Sequence, residues 1–196
     1  MSQSGFSLIV KFYLDNHVWI MDYVDRLTDT QLYWKATPTS NSVAFILWHL
    51  ARWADNLQSF IPGMTDELSR RLPSNPQIWK TYKLAEQWGF PTEEMGFDDT
   101  GWGMDETLAG IIKFPARETL LDYVRQCFAT VGTTLKLLTD DDLASEERPQ
   151  PGNEDSWQPG IMVARTIFGH IQHDMRHLGM IEFLVGLQSG HGSITG

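Results

Sequence analysis

The sequence predicts an all-α protein, an antiparallel four-helix bundle with a long insertion between helices 2 and 3. Three observations predict it. Four segments carry apolar residues at helical spacing, no alternating run of useful length marks a strand, and Pro, Gly, Ser or Asn sits at most of the segment boundaries. At 196 residues, with 42% hydrophobic and 20% charged residues, the chain suits one domain over 1–196 that buries a sizeable core.

The first helix is expected over about 7–27. Leu8, Phe12 and Trp19 form no clean stripe, but Ile9, Phe12, Leu14, Val18, Met21 and Val24 give a broad apolar face. The second begins after Asn41 or Ser42, either of which can cap it. It carries Val43, Ile46, Leu47, Leu50, Ala54, Leu57 and Ile61 before Pro62-Gly63 ends it.

The third starts near Pro115, a residue suited to a first turn, and presents Leu120, Val124, Phe128, Val131, Leu135 and Leu138. The fourth follows Pro159-Gly160 and runs to about 187. Its line of Val163, Ile167, His170, Asp174, His177, Ile181 and Leu184 turns polar in the middle.

Two similar phrases, Leu27-Thr28-Asp29-Thr30-Gln31-Leu32 and Leu138-Thr139-Asp140-Asp141-Asp142-Leu143, each offer a Thr or Asp cap for a short turn and hint at a helix-pair repeat. The stretch 62–114 is too long for a plain connection. A short helix is expected over 78–87, and Gly89, Gly96, Gly101 and Gly103 keep the rest irregular. With Trp79, Trp88 and Trp102 it reads equally as a surface excursion or as a lid over a pocket.

Fifteen basic against 25 acidic residues give a net charge of −10, with no basic cluster to oppose it. Phosphate neutralisation supplies most non-specific nucleic-acid affinity, so DNA, RNA and anionic membrane surfaces are not expected partners. The single cysteine, Cys127, allows no internal disulfide, and its place between Val124 and Val131 reads as a buried, inert thiol. No secretion signal is recognisable and charges break every apolar stretch before it reaches bilayer length, so a cytoplasmic protein is expected.

The chemistry concentrates in Gly169-His170-Ile171-Gln172-His173-Asp174-Met175-Arg176-His177. Residues four apart on a helix lie on one face about 6 Å apart, so His173 and His177 form a chelating pair. His170 and His177 are about 10 Å apart along the axis and cannot easily share an ion. His170/His173 and His173/His177 both stay open on spacing alone. A further ligand has to come from elsewhere: His49 in the second helix, or His17 in the first, with His191 in the Gly-rich tail the weakest candidate. That tail, 190–196, reads as a frayed terminus.

Asn41-Ser42, six residues, then His49-Leu50, taken with His173, three residues, then His177-Leu178-Gly179-Met180-Ile181, resembles the DinB/YfiT-like family of metal-binding four-helix proteins. The likeness spans nearly the whole chain, including the Leu-Thr-Asp phrases. It implies that His49, His173 and His177 hold one divalent ion (Zn, Ni or Fe), and so decides between the two His pairs. Leu178-Gly179-Met180 departs from the commoner Arg-Gly-Gln ending, which bears on the substrate more than on the metal.

Three imidazoles leave a coordination position open, as catalytic sites do. An ion there can bind a thiol as thiolate or lower the pKa of water. Understood members of the family are thiol-dependent transferases and isomerases using low-molecular-weight thiols such as bacillithiol or mycothiol. The expectation is therefore a metal-dependent enzyme, a transferase that activates such a thiol and acts on a small-molecule substrate. The alternatives are a non-catalytic metal-binding helical protein and a metal-dependent small-molecule hydrolase. Eight Trp residues and the resemblance together lean toward a homodimer. Asp174, Glu182 and Asp55 are candidates to orient the imidazoles, though each reads first as a solvated helix residue.

Overall fold

A computed structural model describes residues 5–149 and 158–190, so 191–196, His191 included, lie outside the described residues. Among the described residues the fold is all-helical, with no strand and a single isolated bridge between Glu146 and Met162. The helices are α1 (Gly5–Val24), α2 (Asp29–Tyr33), α3 (Val43–Phe60), α4 (Asp66–Arg71), α5 (Ile78–Thr81), α6 (Leu84–Gln87), α7 (Glu106–Ile111), α8 (Arg117–Leu135), α9 (Asp140–Ala144) and α10 (Val163–Ser189). The four long ones touch in a ring of pairs: α3 with α8, α8 with α1, α1 with α10 and α10 with α3.

Local chemistry sets the boundaries. Ser42 caps α3, its hydroxyl accepting the Phe45 N–H at 3.2 Å. The two Leu-Thr-Asp phrases open α2 and α9. Thr28 and Thr139 are the N-caps, and Gln31 and Asp142 reach back to complete a capping box in each. Gly190, left-handed at φ +70°, closes α10.

Helix α3 lies at the centre. The sequence gives it a stripe, yet 14 of its 18 residues are buried. The reason is the insertion, which covers the outer side of the helix. Trp79 and Phe90 pack on Trp48 with ring centroids 5.8 and 5.6 Å away, and Phe114 closes the group at 6.2 Å. Such aromatic pairs contribute about 0.5–1.5 kcal/mol each beyond their buried area.

Two expectations need correction. The single helix over 78–87 is broken into α5 and α6 at Lys83, whose φ of +49° is left-handed and ends the first turn. In α1 the apolar face is also rotated from the expected one. Tyr13, Asn16, His17, Ile20 and Val24 point inward, while Phe12 and Val18 are 52% and 57% exposed. Two polar residues occupy core positions here, which hydrophobic periodicity does not register.

The insertion is pinned to α3 by buried Arg52. Its guanidinium pairs with Asp55 at 3.0 Å, donates to Gln77 Oε1 at 2.7 Å and to the carbonyl oxygens of Asp98 and Asp99 at 2.7 and 2.9 Å, and lies over the Trp79 ring. Asp55 in turn accepts the backbone N–H groups of Ile78 and Trp79 at 2.8 and 2.9 Å, supplying the cap that α5 lacks locally. Asp98 and Asp99 both have positive φ, so their carbonyls are held in a strained loop by these bonds. Gly96 at φ +74° is required in that loop, because a Cβ there would stand 2.2 Å from the Trp102 carbonyl oxygen.

Candidate metal centre

His49 sits midway along α3, and His173 and His177 sit one turn apart on α10, where the two helices meet. The three imidazoles converge, each offering a nitrogen within 4.8 Å of the others. The Nε2 atoms of His49 and His173 are 3.0 Å apart. Two nitrogens bound to one first-row ion at ~2.0–2.1 Å stand roughly 3 Å from each other, so this separation fits a shared ion.

The loop fixes the ring of His49. Its Nδ1–H donates to the carbonyl oxygen of Thr100 at 2.5 Å. That leaves Nε2 unprotonated and facing His173, which is how an outer hydrogen bond selects the tautomer of a metal-binding histidine. Thr100 is itself placed by the Gly96 loop: Gly101 N–H donates to Met95 at 2.8 Å and Phe97 N–H to Trp102 at 2.8 Å.

Burial, reinforced by the neighbouring His173, lowers the His49 pKa to about 4. Burial, then His173 and His49, lowers that of His177 to about 3. Both rings are therefore neutral near pH 7, the state in which imidazole binds a metal. The Nδ1 atoms of His173 and His177 are buried without hydrogen-bond partners. The donor set and the neutral rings of His49 and His177 fit a divalent ion, and the cluster can hold one.

His173 and His177 are only half-buried because the cluster opens into a cavity of about 840 Å³. Trp53 of α3 and Gly101 to Met104 of the insertion line it with the three imidazoles. The insertion thus forms a wall of the cavity and is more than a surface excursion. A smaller cavity of about 280 Å³ adjoins on the far side of His173 and Trp53.

With this geometry in place, the family model described as the DinB superfamily matches residues 20–181. The chain belongs to the DinB superfamily. Its fold is also similar to that of a conserved protein from Enterococcus faecalis known from a crystal structure. The two chains share 18% identity and a TM-score of 0.69, over 97% of this chain and 100% of that one. No curated protein matches the chain in sequence.

The other candidates fall elsewhere. His170 points away from the cluster, its ring 6.1 Å from Tyr13 and 5.8 Å from Trp53, and burial lowers its pKa to about 4. His17 is buried on α1, stacked on Phe128 at 3.7 Å, with Nε2 3.3 Å from Asp174 Oδ2. Asp174 and Asp55 are not solvated. Asp174 is buried with Oδ1 3.6 Å from His173 Nδ1, too far for a hydrogen bond. Asp55 serves α5 and Arg52 and reaches no imidazole. Glu182 is half-buried and acts electrostatically on Tyr23. Cys127 is fully buried, and burial pushes its thiol well above the usual range. Sequence reasoning missed Arg52, Trp53 and the Thr100 carbonyl. The first two lie in a helix whose stripe does not include them, and a backbone oxygen carries no residue signature.

The low histidine pKa values predict a pH dependence. In the unfolded chain these imidazoles take up protons below about pH 6.5, whereas in the fold His49, His170 and His177 resist until about pH 4 or 3. Between those limits the unfolded state binds more protons, so stability is lost as pH falls through that window. Urea midpoints of the metal-free protein should drop between pH 7 and pH 5, and His177→Gln should remove part of that slope. A midpoint that stays flat in the native chain would contradict the burial argument.

Proposed function

We propose that this chain is a metal-dependent enzyme, a transferase that activates a low-molecular-weight thiol at a divalent ion (Zn, Ni or Fe) held by His49, His173 and His177. The observation that carries the reading is the opening of three converging imidazoles into one cavity. A bound ion there would offset the negative charge of a deprotonated sulfur and raise its fraction near neutral pH. The residues of the chain do the rest. Thr100 fixes the His49 tautomer, α3 and α10 hold the imidazoles in place, and Trp53 and Trp102 provide an apolar wall for a small electrophilic substrate. Since Cys127 is sealed in the core, the sulfur comes from outside the chain.

The proposal extends to architecture and context. We take the four long helices as an antiparallel bundle forming one domain, and the protein as a cytoplasmic homodimer acting on small molecules without nucleic acid or membrane. No helix among the described residues is long and apolar enough to cross a membrane. The net charge of −10 disfavours phosphate backbones. The exposed Phe12, Val18 and Trp19 of α1 with Phe183 and Leu187 of α10 suit a second copy.

The test is metal analysis of untagged protein, followed by an electrophile panel with several thiols. Turnover should need both metal and thiol, and Cys127→Ala should leave it within about twofold, because a buried thiol of raised pKa is a poor nucleophile. Thiol-dependent turnover that survives metal stripping would overturn the proposal. Turnover with metal and no thiol would favour the hydrolase, and bound metal with no turnover a non-catalytic role.

A further inference from the structure

Arg176 stands at the junction of the two cavities. It lines the 840 Å³ cavity and the 280 Å³ one beside it, and among the described residues is the only Lys or Arg lining either. It lies on the turn of α10 between His173 and His177, near enough that its charge helps depress the His177 pKa. Among the described residues its exposed guanidinium makes no ion pair or hydrogen bond; Arg26 and Arg165 are likewise unengaged, but neither lines a cavity of this site. The guanidinium is thus the cationic side chain that stands beside the three imidazoles in an otherwise acidic protein.

We infer that Arg176 anchors a carboxylate on the ligand whose reacting group meets the three imidazoles. The inference rests on the metal reading above and deepens it by assigning a ligand class, a small thiol or acceptor bearing a carboxylate. The planar guanidinium matches a carboxylate in two parallel hydrogen bonds. A dianion such as phosphate fits less well, because Glu106 lines the same cavity and the chain as a whole carries −10. The side cavity next to His170 gives the anchored end room away from the metal face.

The probes are 3-mercaptopropionate and 3-mercaptopropanol, equal in length and differing in charge, titrated into cobalt-loaded and metal-free protein and followed by absorption and by tryptophan fluorescence. The native chain should bind the carboxylate thiol about tenfold more tightly than the alcohol, the size of one charge-assisted contact. Arg176→Gln should abolish that preference with cobalt stoichiometry unchanged, and Arg176→Lys should restore part of it. A preference that persists in Arg176→Gln, or is absent from the native chain, overturns the inference, as does failure of the carboxylate thiol to bind either form. The two readings fail separately. A chain that takes up no cobalt but keeps the preference when metal-free loses the metal reading alone, and one that binds cobalt without the preference loses the anchor alone.

Discussion

Arg52→Met should lower the unfolding free energy by about 3–5 kcal/mol, the usual cost of removing one partner from a buried ion pair. Three consequences act together. Asp55 loses the charge that faces it at 3.0 Å inside the core. Gln77 and the Asp98 and Asp99 carbonyls lose their donors, and the positive-φ turn they form loses what holds it. Asp55 keeps the Ile78 and Trp79 N–H groups, which places the expected value toward the lower end of the range. Arg52→Lys should recover little, since a single ammonium cannot reach Asp55, Gln77 and two carbonyls at once. The site should respond as well: released, the turn no longer presents Thr100 to His49, and metal affinity should fall about tenfold or more, as when an outer partner of a ligand is lost. Urea denaturation and metal titration of the folded variant measure the two effects. A stability change below about 1 kcal/mol would mean that the insertion is held by its aromatic contacts alone.

Arg52 also marks where the sequence stops being legible. Helices α3, α8 and α10 follow from apolar spacing, and the caps of α2, α3 and α9 from single Thr and Ser residues, because those depend on neighbours within one turn. The pair His173 and His177 is readable for the same reason, since helix geometry alone brings them together. Family resemblance, not spacing, favours His49 over His17. Both are core-facing histidines on long helices, and only tertiary placement separates one beside α10's pair from one stacked on Phe128. The insertion defeated the reading for a related cause. Its turns depend on Arg52, Asp55 and Trp48, each 20 or more residues away in sequence, so no local pattern in 62–114 records them. From sequence Asp55 and Asp174 read as solvated because carboxylates usually are, and only their long-range donors and neighbours explain why these are not.

The largest functional effect is expected at His173. It is the shared member of the cluster, with its Nε2 3.0 Å from that of His49 and its ring 4.4 Å from that of His177. Removing it leaves two imidazoles on different helices, whose ring centroids are 4.8 Å apart with nothing between them. In the native chain, metal at a thousandfold excess over its dissociation constant should raise the unfolding free energy by about 4 kcal/mol. In His173→Ala that gain should disappear together with turnover. The metal-free variant, however, should lose no more than about 1 kcal/mol, the worth of the hydrogen bond between the His173 and His49 Nε2 atoms, because the lost ring is half-buried and its Nδ1 has no partner. This contrast separates a ligand from a structural residue: a structural His173 would weaken the metal-free fold and leave the metal increment intact. His170→Ala is the matched control, one turn earlier on the same helix and packed against Tyr13 and Trp53. It should keep the full metal increment, even where its own cavity costs some stability. Equal loss of the increment in both variants would move the ion toward His170 and reopen the choice between the two histidine pairs.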